Sequence, residues 1–234
     1  MKMDFGYMIK ILPGFISVLP LTLVVILCSG LFGFLLSVLV TGIRIKRVKI
    51  FSPLMELYIS FTRSTPILLQ MLLVYYGLPV VLSLIGININ NWSGTLFAIA
   101  TLVLHNGAFL SEILRPAYLA VDEGQKEAAD SLGFTSFQKL TRIVFPQVLP
   151  VALPGLGNAL IYLIQDTSIL FIIGVVDIMG TANNLISNDF GSRQIDVFLT
   201  VALIYWAISY MADKFIKYFE RKTARYHLEN GLTR

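Results

Sequence analysis

Four places in this 234-residue chain set a chemically useful side chain where nearly everything around it is hydrocarbon. Asp166 is the foremost. Gln165, Thr167 and Ser168 flank it, about two-thirds of the way along an apolar run at 150–176. An ionisable group in such a run is costly and faces a cavity or a partner helix. A carboxylate there suits an ammonium ligand, and the neighbouring amide and hydroxyls would complete the set of donors and acceptors. The same groups could instead join helices to one another, each hydrogen bond worth about 0.6–2 kcal/mol. His105 and Asn106 lie near the middle of the run 94–114, where a neutral imidazole could bond Asp166 or a ligand carboxylate, or simply pack. Glu112 is seven residues on, about two turns along the same helical face. Arg115 is within local ion-pair reach of it. Arg63, Ser64 and Thr65 stand just before Pro66. A cation and free helix-start N–H groups suit a carboxylate, although an arginine there could also snorkel to lipid headgroups.

Reaction chemistry has no comparable foothold. There is no GxxxxGK[ST] phosphate loop and no Gly-Lys pair anywhere. His105 and His227 are far apart and lack HExxH or cysteine company, so neither a zinc site nor any other metal site is expected. Cys28 is the only cysteine and cannot form an internal disulfide. No catalytic residue and no bound cofactor are expected.

Holding polar groups at such depth takes membrane-spanning helices. The chain is 56% hydrophobic and 14% charged, with mean hydropathy +0.76, against about a quarter charged in soluble domains. An all-α integral membrane protein follows. The net charge of +4 does not argue for nucleic acid, because the charges cluster at the ends of apolar spans. Five spans are expected, at 14–42, 65–85, 94–114, 150–176 and 197–212. Residues 1–13 read as an interfacial segment outside the cytoplasm, 14–217 as the membrane domain and 218–234 as a basic cytoplasmic tail. Residues 51–64 are amphipathic and expected near the inner surface, and 177–195 form an outer loop. The run at 15–40 is too long for a signal-peptide core and reads as a retained span. Fifteen of the eighteen Lys and Arg fall in 43–64, 115–147 and 214–234, which predicts N-terminus out and C-terminus in.

The segment 115–147 is the long polar interruption. Asp122 is a plausible N-cap with Gln125 completing a capping box. Glu127, Ala128 and Ala129 favour helix, Gly133 stops it, and Ser136 could cap a second short helix ending before Pro146. Two short helices joined at a glycine make a protruding knuckle that suits a partner's groove.

The spacing of Glu127-Ala128-Ala129, Gly133, Ile143 and Pro146 resembles the EAA loop of ABC-importer permeases, with Phe145 where that family usually has Leu. Gly124-Gln125 and Gln165-Asp166-Thr167-Ser168 resemble its polar amino-acid branch. Tyr75-Tyr76-Gly77-Leu78-Pro79 and Tyr205-Trp206 resemble phrases of its cystine permeases. The resemblance covers about 19–213 and implies the type I permease fold. It implies a bacterial cytoplasmic membrane and a coupling loop that docks two ATPase subunits, which would hold ATP and magnesium. It further implies a second permease copy, identical or paralogous, and an external substrate-binding protein. The cargo would be a polar amino acid, with Asp166, Thr167, Ser168, Gln165, His105, Asn106, Glu112 and Arg63 as candidate contacts. The rival reading is an ion-coupled secondary transporter or channel, which the absence of an internal repeat disfavours.

Overall fold

The structure, a computed structural model, describes residues 3–229, with side chains through residue 223. The charges expected of Lys2, Arg225 and Arg234, the side chain of His227 and the end of the basic tail lie outside the described residues. Among the described residues the chain forms helices and no strands. They are α1 (Phe5–Ile45), α2 (Phe51–Ser64), α3 (Ile67–Ser83), α4 (Gly94–Leu119), α5 (Glu123–Ser131), α6 (Ser136–Ile173), α7 (Ile178–Asn188) and α8 (Gln194–Glu229). Helices α1, α4, α6 and α8 are each long and apolar enough to cross a membrane. The α2–α3 pair makes a fifth crossing if taken as one span bent by 116°.

That bend falls at the start of the expected second span, most of which α3 occupies. Thr65 is extended (φ −109°, ψ 137°) because Pro66 follows it, and the residue before a proline is driven out of the helical region. The amphipathic segment before the bend packs against other helices. Ile59 packs in a buried cluster with Val40 and Ala108, and the Tyr58 hydroxyl donates to the Leu104 carbonyl. Helix α2 is therefore docked on α1 and α4.

The expected interfacial segment at the N-terminus is also part of a longer element. Helix α1 begins at Asp4, whose side chain accepts the Tyr7 N–H at 3.1 Å, and continues through Pro13 and Pro20. Ser29, Gly33, Ser37 and Thr41 recur every four residues on its buried side. Small residues at that spacing let two backbones approach closely. A Cβ on Gly33 would stand 2.8 Å from the Asn106 Cβ, and one on Gly107 would stand 2.5 Å from Leu36. The α1–α4 contact excludes larger side chains at both positions.

Apolar residues from α1, α3, α4 and α6 share one core: Val25, Met71, Phe97, Leu102, Leu163 and Leu170 are all nearly inaccessible. A second cluster joins α1, α7 and α8 through Phe15, Ile178, Ala182 and Val197. The outer loop expected at 177–195 thus contains a helix, α7. Asp177 caps it by accepting the Gly180 N–H at 2.9 Å. Burial of Ile178 and Ala182 holds a sequence that helix propensity alone would leave undecided.

Helix α6 is longer than the expected 150–176 span. It runs from Ser136 without stopping at Pro146, because a π turn at Leu140–Val144 bonds the Phe145 N–H to the Leu140 carbonyl and carries the chain past the proline. At its far end, α6 tightens to a 3₁₀ helix over Thr167–Ile173 and closes on Gly174 (φ +81°). The polar quartet 165–168 straddles that change of pitch.

Candidate functional site

Pro66 has no N–H to give the Thr62 carbonyl, so the break in the second span leaves backbone acceptors inside the protein. Gln70 supplies the donors. Its side-chain nitrogen donates to the Thr62 carbonyl at 2.7 Å and to the Thr65 carbonyl at 2.8 Å. With the amide so oriented, its oxygen stands 3.1 Å from His105 Nδ1, which places the imidazole proton on Nδ1. The other ring nitrogen, Nε2, faces the Asp166 carboxylate at 4.0 Å, and the two side chains are 14% and 23% exposed. Phe109 stacks on the imidazole with ring centroids 4.5 Å apart. Among the described residues no donor hydrogen-bonds the Asp166 carboxylate.

Helices α3, α4 and α6 therefore bring Gln70, His105 and Asp166 together. Other candidates spend their polar atoms on the fold. Thr167 is fully buried, donates to the Ile164 carbonyl at 2.7 Å and lies 3.2 Å from the Tyr205 hydroxyl. Asn106 is buried against α1 and donates to the Leu102 carbonyl at 2.9 Å. Ser168 is half-buried and Gln165 exposed. Sequence reasoning misses Gln70, although it is the one polar residue in ILLQMLL; its partners become visible only once Pro66 has freed two carbonyls.

Glu112 does not pair with Arg115, the partner that local spacing offers. It accepts from Arg44 at 2.5 Å and from Arg63 at 2.6 Å. The ends of α1 and α2 converge on α4, and tertiary neighbours displace the sequence neighbour. Arg44 is 12% exposed and Arg63 51%, so Arg63 is already engaged by a carboxylate of its own chain. The two arginines border an open cleft of about 390 Å³ that Glu56, Ser60 and Ser64 also line.

The knuckle is built from local hydrogen bonds. Asp122 accepts the Gln125 N–H at 3.3 Å. The reciprocal half of the expected box is absent, since the Gln125 oxygen accepts instead from Gln147 at 2.6 Å. Helix α5 ends in a left-handed Gly133 (φ +77°), with Gly133 N–H to the Asp130 carbonyl and Phe134 N–H to the Ala129 carbonyl, both 3.0 Å. These two bonds form a Schellman cap. Thr135, not Ser136, caps the next helix, in a complete box with Gln138. Lys139 holds Asp130 at 2.6 Å across the turn. Glu127, Ala128 and Gly133 face outward, while Ala129 is buried and Ile143 and Pro146 are half-buried. Leu132 and Phe137, at 76% and 74% exposure, are the large apolar side chains at the tip. A count of apolar residues at a helix stop could have found them.

Comparison with known proteins gives this geometry a context. The chain is 37% identical over 210 residues to the L-cystine transport system permease protein TcyL of Bacillus subtilis, covering 90% of this chain and 87% of that one. It is 30% identical to the arginine transport system permease protein ArtQ of the same organism, covering 95% and 98%. A solved amino acid ABC transporter crystallised with histidines superposes with a TM-score of 0.80 at 31% identity, covering 95% of this chain and all of that chain. The family model for the inner membrane component of binding-protein-dependent transport systems matches residues 29–225. A helical body with four or five candidate crossings, a capped polar knuckle and a match across most of the chain agree, and the protein belongs to that family of ABC transporter permeases.

Proposed function

We propose that the chain imports a polar amino acid, and that Asp166, oriented toward His105 between α4 and α6, receives the ammonium group of the cargo as it crosses. The observation that carries this is the Asp166 carboxylate itself: it is half-buried among apolar helices and accepts no hydrogen bond among the described residues. An ammonium would supply the missing donors, in a setting where charge-assisted bonds are strong. His105 Nε2, with its lone pair directed to the same place, would accept a further N–H. The cargo's carboxylate would look for a cation, and Arg63 would have to leave Glu112 to provide it.

Energy comes from elsewhere. The described chain carries no phosphate loop, and ATP hydrolysis falls to two ATPase subunits docked on the knuckles of two permease copies. The N-terminus lies outside and the C-terminus in the cytoplasm, which puts the knuckle on the nucleotide side. L-cystine is the first cargo to test, because a relative named for its transport covers 90% of the chain.

The test is reconstitution with the cognate ATPase and binding protein, following labelled amino-acid uptake with and without ATP, wild type beside Asp166→Asn. ATP-dependent uptake that collapses in the variant, with assembly intact, is the expected result. Uptake unchanged in the variant would return Asp166 to helix packing. Uptake indifferent to ATP would restore the ion-coupled alternative.

A further inference from the structure

The turn between α7 and α8 carries an apolar side chain that nothing among the described residues covers. Phe190 is 98% exposed and sits at φ +50°, followed by Gly191 at φ +75°. A bulky residue in the left-handed region is a genuine outlier, retained where the surroundings over-determine it. They do so here. Gly191 N–H bonds the Ile186 carbonyl at 2.9 Å, and Ser192 N–H bonds the Asp189 carbonyl at 3.0 Å.

A side-chain clamp then ties both flanks of the turn to the start of α1. Arg193 pairs with Asp4 at 2.7 Å and lies over the Tyr7 ring at 4.3 Å. The Tyr7 hydroxyl donates to Asp189 at 2.7 Å, and the Asp4 N–H donates to Asp196 at 3.2 Å. Five residues from two ends of the sequence hold the turn, and Phe190 takes no part in the clamp. Its immediate neighbours Asp189, Gly191, Ser192 and Arg193 are polar or bare. Charged groups so close together belong to an aqueous face and not to hydrocarbon. Other exposed apolar residues of the spans, such as Leu27 and Leu31, lie among apolar neighbours, as lipid-facing positions do.

We infer that the clamped 189–193 turn is a docking knob, and that Phe190 inserts into an apolar pocket, rimmed by polar groups, on the substrate-binding protein. This rests on the proposed orientation, which places the turn outside the cell. The occupant follows from the family, whose transport depends on a binding protein, so a soluble partner must be engaged from that side. Aromatic anchors dominate such contacts, and a rigid turn spares the cost of ordering one on binding.

The experiment uses the permease assembled with its ATPase in proteoliposomes, with the loaded binding protein titrated in and ATP hydrolysis followed. Phe190→Ala should raise the half-maximal concentration of binding protein about tenfold, with unstimulated and saturated rates unchanged. Phe190→Gly, which suits the left-handed backbone better, should show the same shift and so separate the side chain from the strain. In Phe190→Trp, the emission of the introduced indole should move to the blue when binding protein is added. A half-maximal concentration unchanged in both the Ala and Gly variants would overturn the inference. So would quenching of that indole by brominated lipid before any binding protein is present, or a Phe190→Cys cross-link to the sister permease. Wild-type transporter that binding protein fails to stimulate would sink the importer reading itself, a result distinct from any shift at Phe190.

Discussion

His105 Nδ1 lies 3.1 Å from the Gln70 oxygen, and this contact decides which ring nitrogen faces Asp166. Gln70 can hold the imidazole because its nitrogen is committed to the Thr62 and Thr65 carbonyls. Gln70→Leu removes three hydrogen bonds and leaves those carbonyls unpaired, a cost of about 1–3 kcal/mol for a buried polar group. The melting temperature of the purified protein should fall. Maximal uptake should fall further than stability explains, and raising the substrate concentration should not restore it. Adding His105→Ala to Gln70→Leu should cost little more, since both act through one unit. Full, independent losses from the two substitutions would show that Gln70 does not act through the ring.

The shared carboxylate of Glu112 makes a second, graded prediction. Arg44 is nearly enclosed and Arg63 half-exposed. Removing one partner of an enclosed ion pair costs about 3–5 kcal/mol, whereas an exposed pair contributes about 0–1 kcal/mol. Glu112→Gln should therefore destabilise strongly, and Arg63→Gln should be nearly silent in a thermal melt. Glu112→Gln combined with Arg44→Met should recover part of the loss. Equal melting temperatures for the two single variants would contradict the assignment.

The crossings and the knuckle were legible in the sequence because they rest on local signals: apolar length, basic flanks, Asp122 and Gly133. Asp166 and His105 stood out because an ionisable group in hydrocarbon is conspicuous wherever its partner lies. What could not be read depended on contacts between distant segments. Glu112 had a plausible neighbour in Arg115, and only the convergence of α1, α2 and α4 gave it Arg44 and Arg63. Helix α7 reads as a loop because Gly180 and its asparagines weaken any helical pattern. It forms because Ile178 and Ala182 find α1 and α8. Thr135 and Ser136 are both good caps, and the choice between them fell to the glutamine three residues after Thr135.

Asp177, in the connection between α6 and α7, offers a pH test. It is fully buried, and burial pushes its carboxyl up to about 6 despite the N–H bonds it accepts. A carboxyl raised in the folded state favours the fold while protonated. Its contribution is complete below the unfolded value of 3.8 and is lost as pH rises through about 6. Asn caps a helix as well as Asp does and carries no charge. Asp177→Asn should raise the melting temperature at pH 7.5 and leave it unchanged near pH 4. A variant no more stable than wild type at pH 7.5 would mean that the buried charge is compensated.

The knuckle divides its residues between holding shape and meeting a partner, and the two roles predict opposite signatures. Ala129 is buried, and its carbonyl closes the Schellman cap, so enlarging it should unfold the tip. Gly133 is exposed, but at φ +77° a Cβ is strained; Gly133→Ala should cost about 1–2 kcal/mol locally. Leu132 and Phe137 hold nothing inside and stand at 76% and 74% exposure. If an ATPase groove receives them, Leu132→Ser with Phe137→Ser should leave the melting temperature of the isolated permease unchanged and release the ATPase on size-exclusion chromatography. Gly133→Ala should do the reverse in order, loosening the tip first and weakening assembly only as a consequence. Co-elution of the ATPase with the double serine variant would move the docking surface away from the tip, toward the outward-facing Glu127 and Ala128.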